Sequence, residues 1–259
     1  MLRAVKSLEG YNIHATDGNI GELETIHFND QSFDASYLVV KLGSFWDAKE
    51  VLILPTSAHR VDWVKQDINV DLSQEQIKKS VPYTADMPVE ELNDFIDERN
   101  LRSLYLAEPW SGAMLPLWFP DMSEGLNLLE EVGDKHLRCV ERVSDYKVDA
   151  SDKACGVVDD FIIDDETWKL KYIVVDTNGI LPFGKVLVSV SHIEKFDEDH
   201  DKVILDLSAD EIKHCPAYDP SSPVNREYEV KYYDFEGRLK SSSSENLEEL
   251  QALDKNLKG

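Results

Sequence analysis

The chain is short of positive charge. Only 27 Lys and Arg stand against 51 Asp and Glu, a formal net charge of -24 at pH 7. Affinity for a phosphate backbone comes mainly from Lys and Arg displacing counterions, so direct nucleic-acid binding is not expected. Anionic lipid surfaces repel such a chain for the same reason. A basic partner, or a saline habitat, fits the charge better. Long apolar runs are missing too, which excludes a transmembrane helix on length alone. The opening MLRAVKSLEGYNI lacks the apolar centre of a signal peptide, so the expected compartment is the cytoplasm. Cysteine is scarce: Cys139, Cys155 and Cys215 are odd in number and contain no C-x-x-C. That argues against a disulfide framework or a closed zinc site.

What is present is enough for real cores. The chain has 259 residues, 42% of them hydrophobic, suited to one large or two small domains. A shift of 135 residues lays the chain on itself without a gap. Leu2-Arg3 falls on Leu137-Arg138, Tyr11 on Tyr146, Asp17 on Asp152, Gly21 on Gly156 and Tyr37 on Tyr172. Val51-Leu52 falls on Val186-Leu187, Asp71-Leu72-Ser73 on Asp206-Leu207-Ser208, and Pro88-Val89 on Pro223-Val224. From 2 to 89 there are 22 identities in 88 positions, where chance gives roughly one in sixteen. Tandem duplication is the economical reading.

Within each copy the pattern is that of strands. YLVVKL and YIVVDT are nearly unbroken apolar runs, expected to be covered on both faces. IHFND meets SFDASYLVVKL through a polar turn, as in a hairpin. EVLILP and KVLVSV read as the next strand, and HRVDWV resumes pairing after Pro55. INVDLS and VILDLS alternate as half-buried strands do. Ser73-Gln74-Glu75-Gln76 and Ser208-Ala209-Asp210-Glu211 are capping boxes, each predicting a short helix. Asp17-Gly18 reads as a two-residue hairpin turn, with a looser turn where Lys153 replaces the glycine. Gly156, matched by Gly21, marks a tight bend or close backbone packing.

The expected organisation is therefore a first repeat at 1–96, a connecting strap at 97–136, a second repeat at 137–236, and a tail at 237–259. The strap, with YLAEPWSGAMLPLWFP, is dense in aromatics and proline and packs across the repeats or offers an adhesive patch. The tail has a serine-rich joint, then Leu247, Leu250, Leu253 and Leu257 on one helical stripe.

With these segments in view, both copies resemble the PRC-barrel family, named for the photosynthetic reaction centre whose H subunit carries such a barrel. The resemblance rests on LRAVKSLEGYNIHATDGNIGELETIHFND, FDASYLVVKL, EVLILP and VDLSQEQIKKS in the first copy. In the second it rests on LRCVERVSDYKVDASDKACGVVDDFIIDDETWKLKYIVVDT, KVLVSV and LDLSADEIKHCP. It implies a mainly β fold with short helices: two tandem small PRC-type β-barrels related by duplication, used as assembly and interaction modules. It carries no catalytic residues with it.

The chemical alternatives are weak in the sequence. Among the histidines, only His214 has a cysteine neighbour, Cys215, and adjacent residues usually point apart. No metal site and no cofactor are expected. The cysteines read as small packing residues. Gly18-Asn19-Ile20-Gly21 matches an RNA-binding G-x-x-G loop, but acids flank it and the second copy breaks it. FDEDHD, 196–201, lacks the ligand order of a calcium loop.

The expectation is a non-enzymatic protein-interaction module. Trp110, Leu117, Trp118 and Phe119 of the strap, with Leu250 and Leu253 of the tail, are the candidate protein contacts. The partner is a protein, a basic one fitting the charge, and a homodimer is compatible with paired modules of like surface. Three alternatives stand beside this reading: a ribosome-maturation factor touching basic ribosomal proteins, a reaction-centre H-subunit-like assembly role, and an enzyme with a cleft between the barrels.

Overall fold

The structure is a computed structural model that describes residues 1–43, 48–80, 82–83, 136–177 and 184–220. Its described part is mainly β. The first half contributes β1 (Leu2–Ala4), β2 (Asn12–Ala15), β3 (Gly18–Asn29), β4 (Ala35–Leu42), β5 (Lys49–Ile53), β6 (Ala58–Asp62), β7 (Asp67–Val70) and β8 (Pro82–Tyr83). The second contributes β9 (Leu137–Cys139), β10 (Lys147–Asp149), β11 (Ala154–Asp164), β12 (Lys169–Asp176), β13 (Lys185–Ser189), β14 (Ile193–Asp197) and β15 (Lys202–Leu205). Three short helices interrupt them: α1 (Gln74–Lys78), α2 (Val140–Val143) and α3 (Ala209–His214).

Two sheets result. One runs β6-β7-β2-β3-β4-β5-β8, with β9 added on β3. The other runs β14-β15-β10-β11-β12-β13, with β1 added on β11. Offset by 135 residues, the order β6-β7-β2-β3-β4-β5 and the order β14-β15-β10-β11-β12-β13 correspond strand for strand. In each, one contact is parallel, β2 with β7 and β10 with β15. Neither path closes on itself among the described residues.

The chain divides into two compact units that do not follow the sequence halves. The β3 unit holds Val5–Ser144 with Ile163–Lys171. The β11 unit holds Met1–Ala4, Asp145–Ile162 and Tyr172–Gly259. Each unit thus takes in chain from the other half. β1, at the start of the first half, pairs in the β11 unit, and β9, at the start of the second, pairs in the β3 unit.

Burial explains which segments became central strands. Leu38, Val39 and Val40 of β4 are all fully buried, as are Ile173, Val174 and Val175 of β12. Alternation fails there because both faces are covered. Ile13, Leu23, Ile26, Phe28, Leu52, Ile53, Ile68 and Ile77 of the β3 unit are buried as well. In the β11 unit Leu2, Ile162, Val174, Leu187 and Tyr218 form one cluster. Each such side chain contributes about 1.5–3 kcal/mol by leaving water.

The helix starts follow the sequence closely. At α1 the Ser73 hydroxyl accepts from the Gln76 N–H, while Gln76 Oε1 accepts from the Ser73 N–H at 2.8 Å. At α3 Ser208 and Glu211 repeat the exchange.

The β2–β3 turn requires a correction. Ala15 pairs with Gly18, so the turn residues are Thr16 and Asp17, one position earlier than the sequence suggested. Gly18 is the first residue of the strand. A Cβ there would stand 3.0 Å from Gln74 Nε2. In the second half Asp149 pairs with Ala154, leaving a longer loop over 150–153, the looser turn anticipated at Lys153. Gly21 and Gly156 are sites of close backbone approach. A Cβ on Gly21 would meet the Lys41 carbonyl oxygen at 2.3 Å, and one on Gly156 the Asp176 carbonyl oxygen at 2.2 Å.

Candidate functional site

The contact residues expected from the sequence, Trp110, Leu117, Trp118, Phe119, Leu250 and Leu253, lie outside the described residues. So do most of the strap and the whole leucine stripe. Among the described residues, the most unusual concentration of polar chemistry is inside the β3 unit, where β3 meets β9 and β8.

β3 delivers His27 into the interior because Ile26, His27 and Phe28 run through a strand buried on both sides. On one flank His27 pairs with Tyr37 of β4. On the other it faces Cys139 of β9, its partner in register. β8 brings Tyr83 up against the ring: the centroids are 4.9 Å apart and the planes nearly perpendicular. His27 Nε2 and the Tyr83 hydroxyl are hydrogen-bonded at 3.2 Å. Two positions along β3, the Thr25 hydroxyl lies 3.8 Å from Cys139 Sγ.

His27 Nδ1 is buried with no hydrogen-bond partner. The direction of the bond between His27 Nε2 and the Tyr83 hydroxyl follows the tautomer of the ring, and either direction leaves one of the two donor hydrogens outside this pair. Burial, with the nearby Arg142 guanidinium second, lowers the His27 pKa to about 4. Burial also raises the Tyr83 hydroxyl, reinforced by Cys139. It raises the Cys139 thiol likewise, against the bonds from Arg142 and Thr25. Near neutral pH all three groups are therefore uncharged. Together they form a polar plug: His27 and Tyr83 bond to each other, and Cys139 meets Thr25 beside them.

A cluster of charge surrounds the plug. Glu50 and Glu9 are both pushed up, first by burial and then by neighbouring carboxylates, Glu24 for Glu50 and Glu141 for Glu9. Lys41, which is ion-paired with Glu24 at 3.3 Å, offsets part of the shift at Glu50, and Lys6 part of that at Glu9. At the other end of β9, Asp30 Oδ2 binds the Arg138 guanidinium at 2.8 Å and Asp30 Oδ1 meets His136 Nδ1 at 2.7 Å.

The sequence contained a signal for the plug that composition alone hides. At an offset of 135, His27 corresponds to Ile162 and Cys139 to Ala4, while Tyr83 corresponds to Tyr218. Those counterparts pack together in the β11 unit, where Ala4 and Tyr172 lie against the cluster of Ile162 and Tyr218. Where the β3 unit has His27 and Cys139 the β11 unit has Ile162 and Ala4, and the tyrosine is common to both.

The other chemical candidates sit apart. No group of three or more His, Cys, Asp or Glu side chains that could hold a metal ion occurs among the described residues. His214 Nδ1 lies 2.7 Å from the Asp210 carbonyl oxygen, a bond within its own helix. Cys155 and Cys215 are buried, and burial raises their thiols to about 11 and about 12. Cys139 is only half-buried, unlike the fully packed residue expected. Within FDEDHD, Asp197 accepts from His200 Nδ1 at 3.0 Å. No helix among the described residues is long and apolar enough to cross a membrane.

These features define, among the described residues, a mainly β protein with His27 and Tyr83 hydrogen-bonded in the interior of the β3 unit. The chain matches no protein-family model, and no curated protein matches it in sequence.

Proposed function

We propose that the chain is a non-catalytic interaction module built from a duplicated PRC-type β unit, and that it binds a protein of basic character. The observation that carries the reading is the common strand order of the two sheets under a single 135-residue offset. A duplicated scaffold offers two like surfaces, and a net charge of -24 selects for cationic partners. The plug of His27, Tyr83 and Cys139 supports the same reading, since its groups are held uncharged near neutral pH by burial.

Affinity capture from the native cell at low and at high salt tests the proposal. A basic protein retained at low salt and released at high salt is the expected result. Capture of RNA that survives protein digestion would overturn it. Co-sedimentation with ribosomes that is lost in salt would place the basic partner on the ribosome.

A further inference from the structure

The β3 unit contains a contact between the two sequence halves that is its own mirror under the 135-residue offset. The Ala35 N–H donates to the Trp168 carbonyl at 2.8 Å, and the Leu170 N–H donates to the Phe33 carbonyl at 2.8 Å. Residue 35 plus the offset is 170, and residue 33 plus the offset is 168, so each bond maps onto the other. Between them Asp34 is bridged to Lys169, its own offset counterpart. Their side chains form an ion pair at 3.4 Å. Phe33 and Trp168 share a left-handed backbone, with φ of 60° and 53°. A contact in which i meets j and j meets i is the isologous kind that holds twofold homodimers.

The ends of the halves are traded as well. β9 lies on β3, with Phe28 paired to Arg138 and Asn29 to Leu137, and β1 lies on β11. Three-residue strands have no stability alone. Without β9, the His27–Asn29 edge of β3 would lose its pairing, and Leu137, Val140 and Val143, all buried, would be exposed.

We infer that the two sequence halves are each other's binding partner, and that this chain is a fused dimer whose halves recognise one another through an isologous contact and exchanged terminal strands. The inference shares with the proposed function only the duplication; it concerns the partner inside the chain, not the one outside.

The test uses the full chain with a protease site placed within residues 97–136, cut after folding. At micromolar concentration the two fragments co-elute at the position of the uncut protein and lose their far-ultraviolet signal in one transition. Two separately eluting, folded fragments would overturn the inference. Trp168→Gly retains the left-handed backbone and removes the ring, and it weakens the association of the cut fragments roughly tenfold or more. Trp168→Phe restores most of it. Should Trp168→Gly lose its far-ultraviolet signal before cutting, Ala35→Pro, which deletes the N–H donated to Trp168, gives the same reading. Unchanged fragment affinity in the folded variant would remove this contact from the interface. Separation of the fragments leaves partner capture by the intact chain unaffected, so the two readings fail independently.

Discussion

Asp17 accepts the Gln74 backbone N–H at 2.8 Å across 57 residues of chain. Asp152 accepts the Ala209 N–H at the same distance. Each aspartate sits in the β-turn region of its half and caps the helix that follows the last half-buried strand. Asp17→Ala is expected to cost about 1 kcal/mol, the usual worth of a lost helix cap, and Asp152→Ala to destabilise in the same direction, each read as a lower urea midpoint. The Asp152 carboxyl is held below its ordinary value, first by the Ala209 bond. A depressed carboxylate stabilises above its unfolded pKa and ceases to do so as pH falls through the folded one. Asp152→Ala is therefore expected to differ from the parent near neutral pH and to converge with it in strong acid.

His27 produces a second, separable acid sensitivity. Its folded pKa of about 4 lies below the ordinary histidine value. Between about 6.5 and about 4 the unfolded chain takes up a proton that the folded chain refuses, so stability falls as pH drops through that window. The full effect is about 3 kcal/mol. His27→Gln, which keeps a partner for Tyr83 and does not titrate, is expected to flatten the profile between pH 6.5 and 4.5. Urea unfolding at several pH values measures it, and a slope equal to that of the parent would refute the assignment to His27.

Arg138 and Asp30 form a pair that is 12% and 9% exposed at the side chains. Removing the guanidinium leaves a nearly buried carboxylate facing His136. Arg138→Ala is expected to cost about 3 kcal/mol. Asp30→Ala in the Arg138→Ala background is expected to add little, because the two residues act together. A double-mutant cycle by chemical denaturation decides.

Gly21 and Gly156 leave no room for a methyl group against the carbonyls of Lys41 and Asp176. Alanine at either position forces β3 from β4, or β11 from β12. A loss of about 1–3 kcal/mol is expected at each. Gly10, whose added Cβ would meet nothing within 4 Å, has a positive φ of 77° and tests strain alone.

The three thiols should be slow toward alkylating reagents at pH 8. Burial raises all of them, Cys155 to about 11 and Cys215 to about 12, and the thiolate is the reacting form. Cys139, the one with partial exposure, is expected to react first. Mass spectrometry of the native protein after timed alkylation gives the order.

Much of this architecture is written locally. The unbroken apolar runs at 37–40 and 172–175 mark strands covered on both faces, because hydrophobicity with β-branching specifies a pleated segment wherever it lies. Ser73 with Gln76 and Ser208 with Glu211 mark helix starts because both capping bonds close within four residues. Asp17 was legible as a turn residue but not as a cap, since its partner at Gln74 is brought close only by the parallel pairing of β2 with β7. Nothing local in IHFND marks His27; that Tyr83 and Cys139 converge on it depends on β8 and β9 arriving there.

By itself the sequence determined the kind of elements, their order, the 135-residue offset and the acidity of the whole. Tertiary structure alone decided that β1 and β9 lie with the opposite halves. A three-residue strand carries too few side chains to encode its neighbour, so its place is set by which open edge and which buried surface the rest of the fold presents.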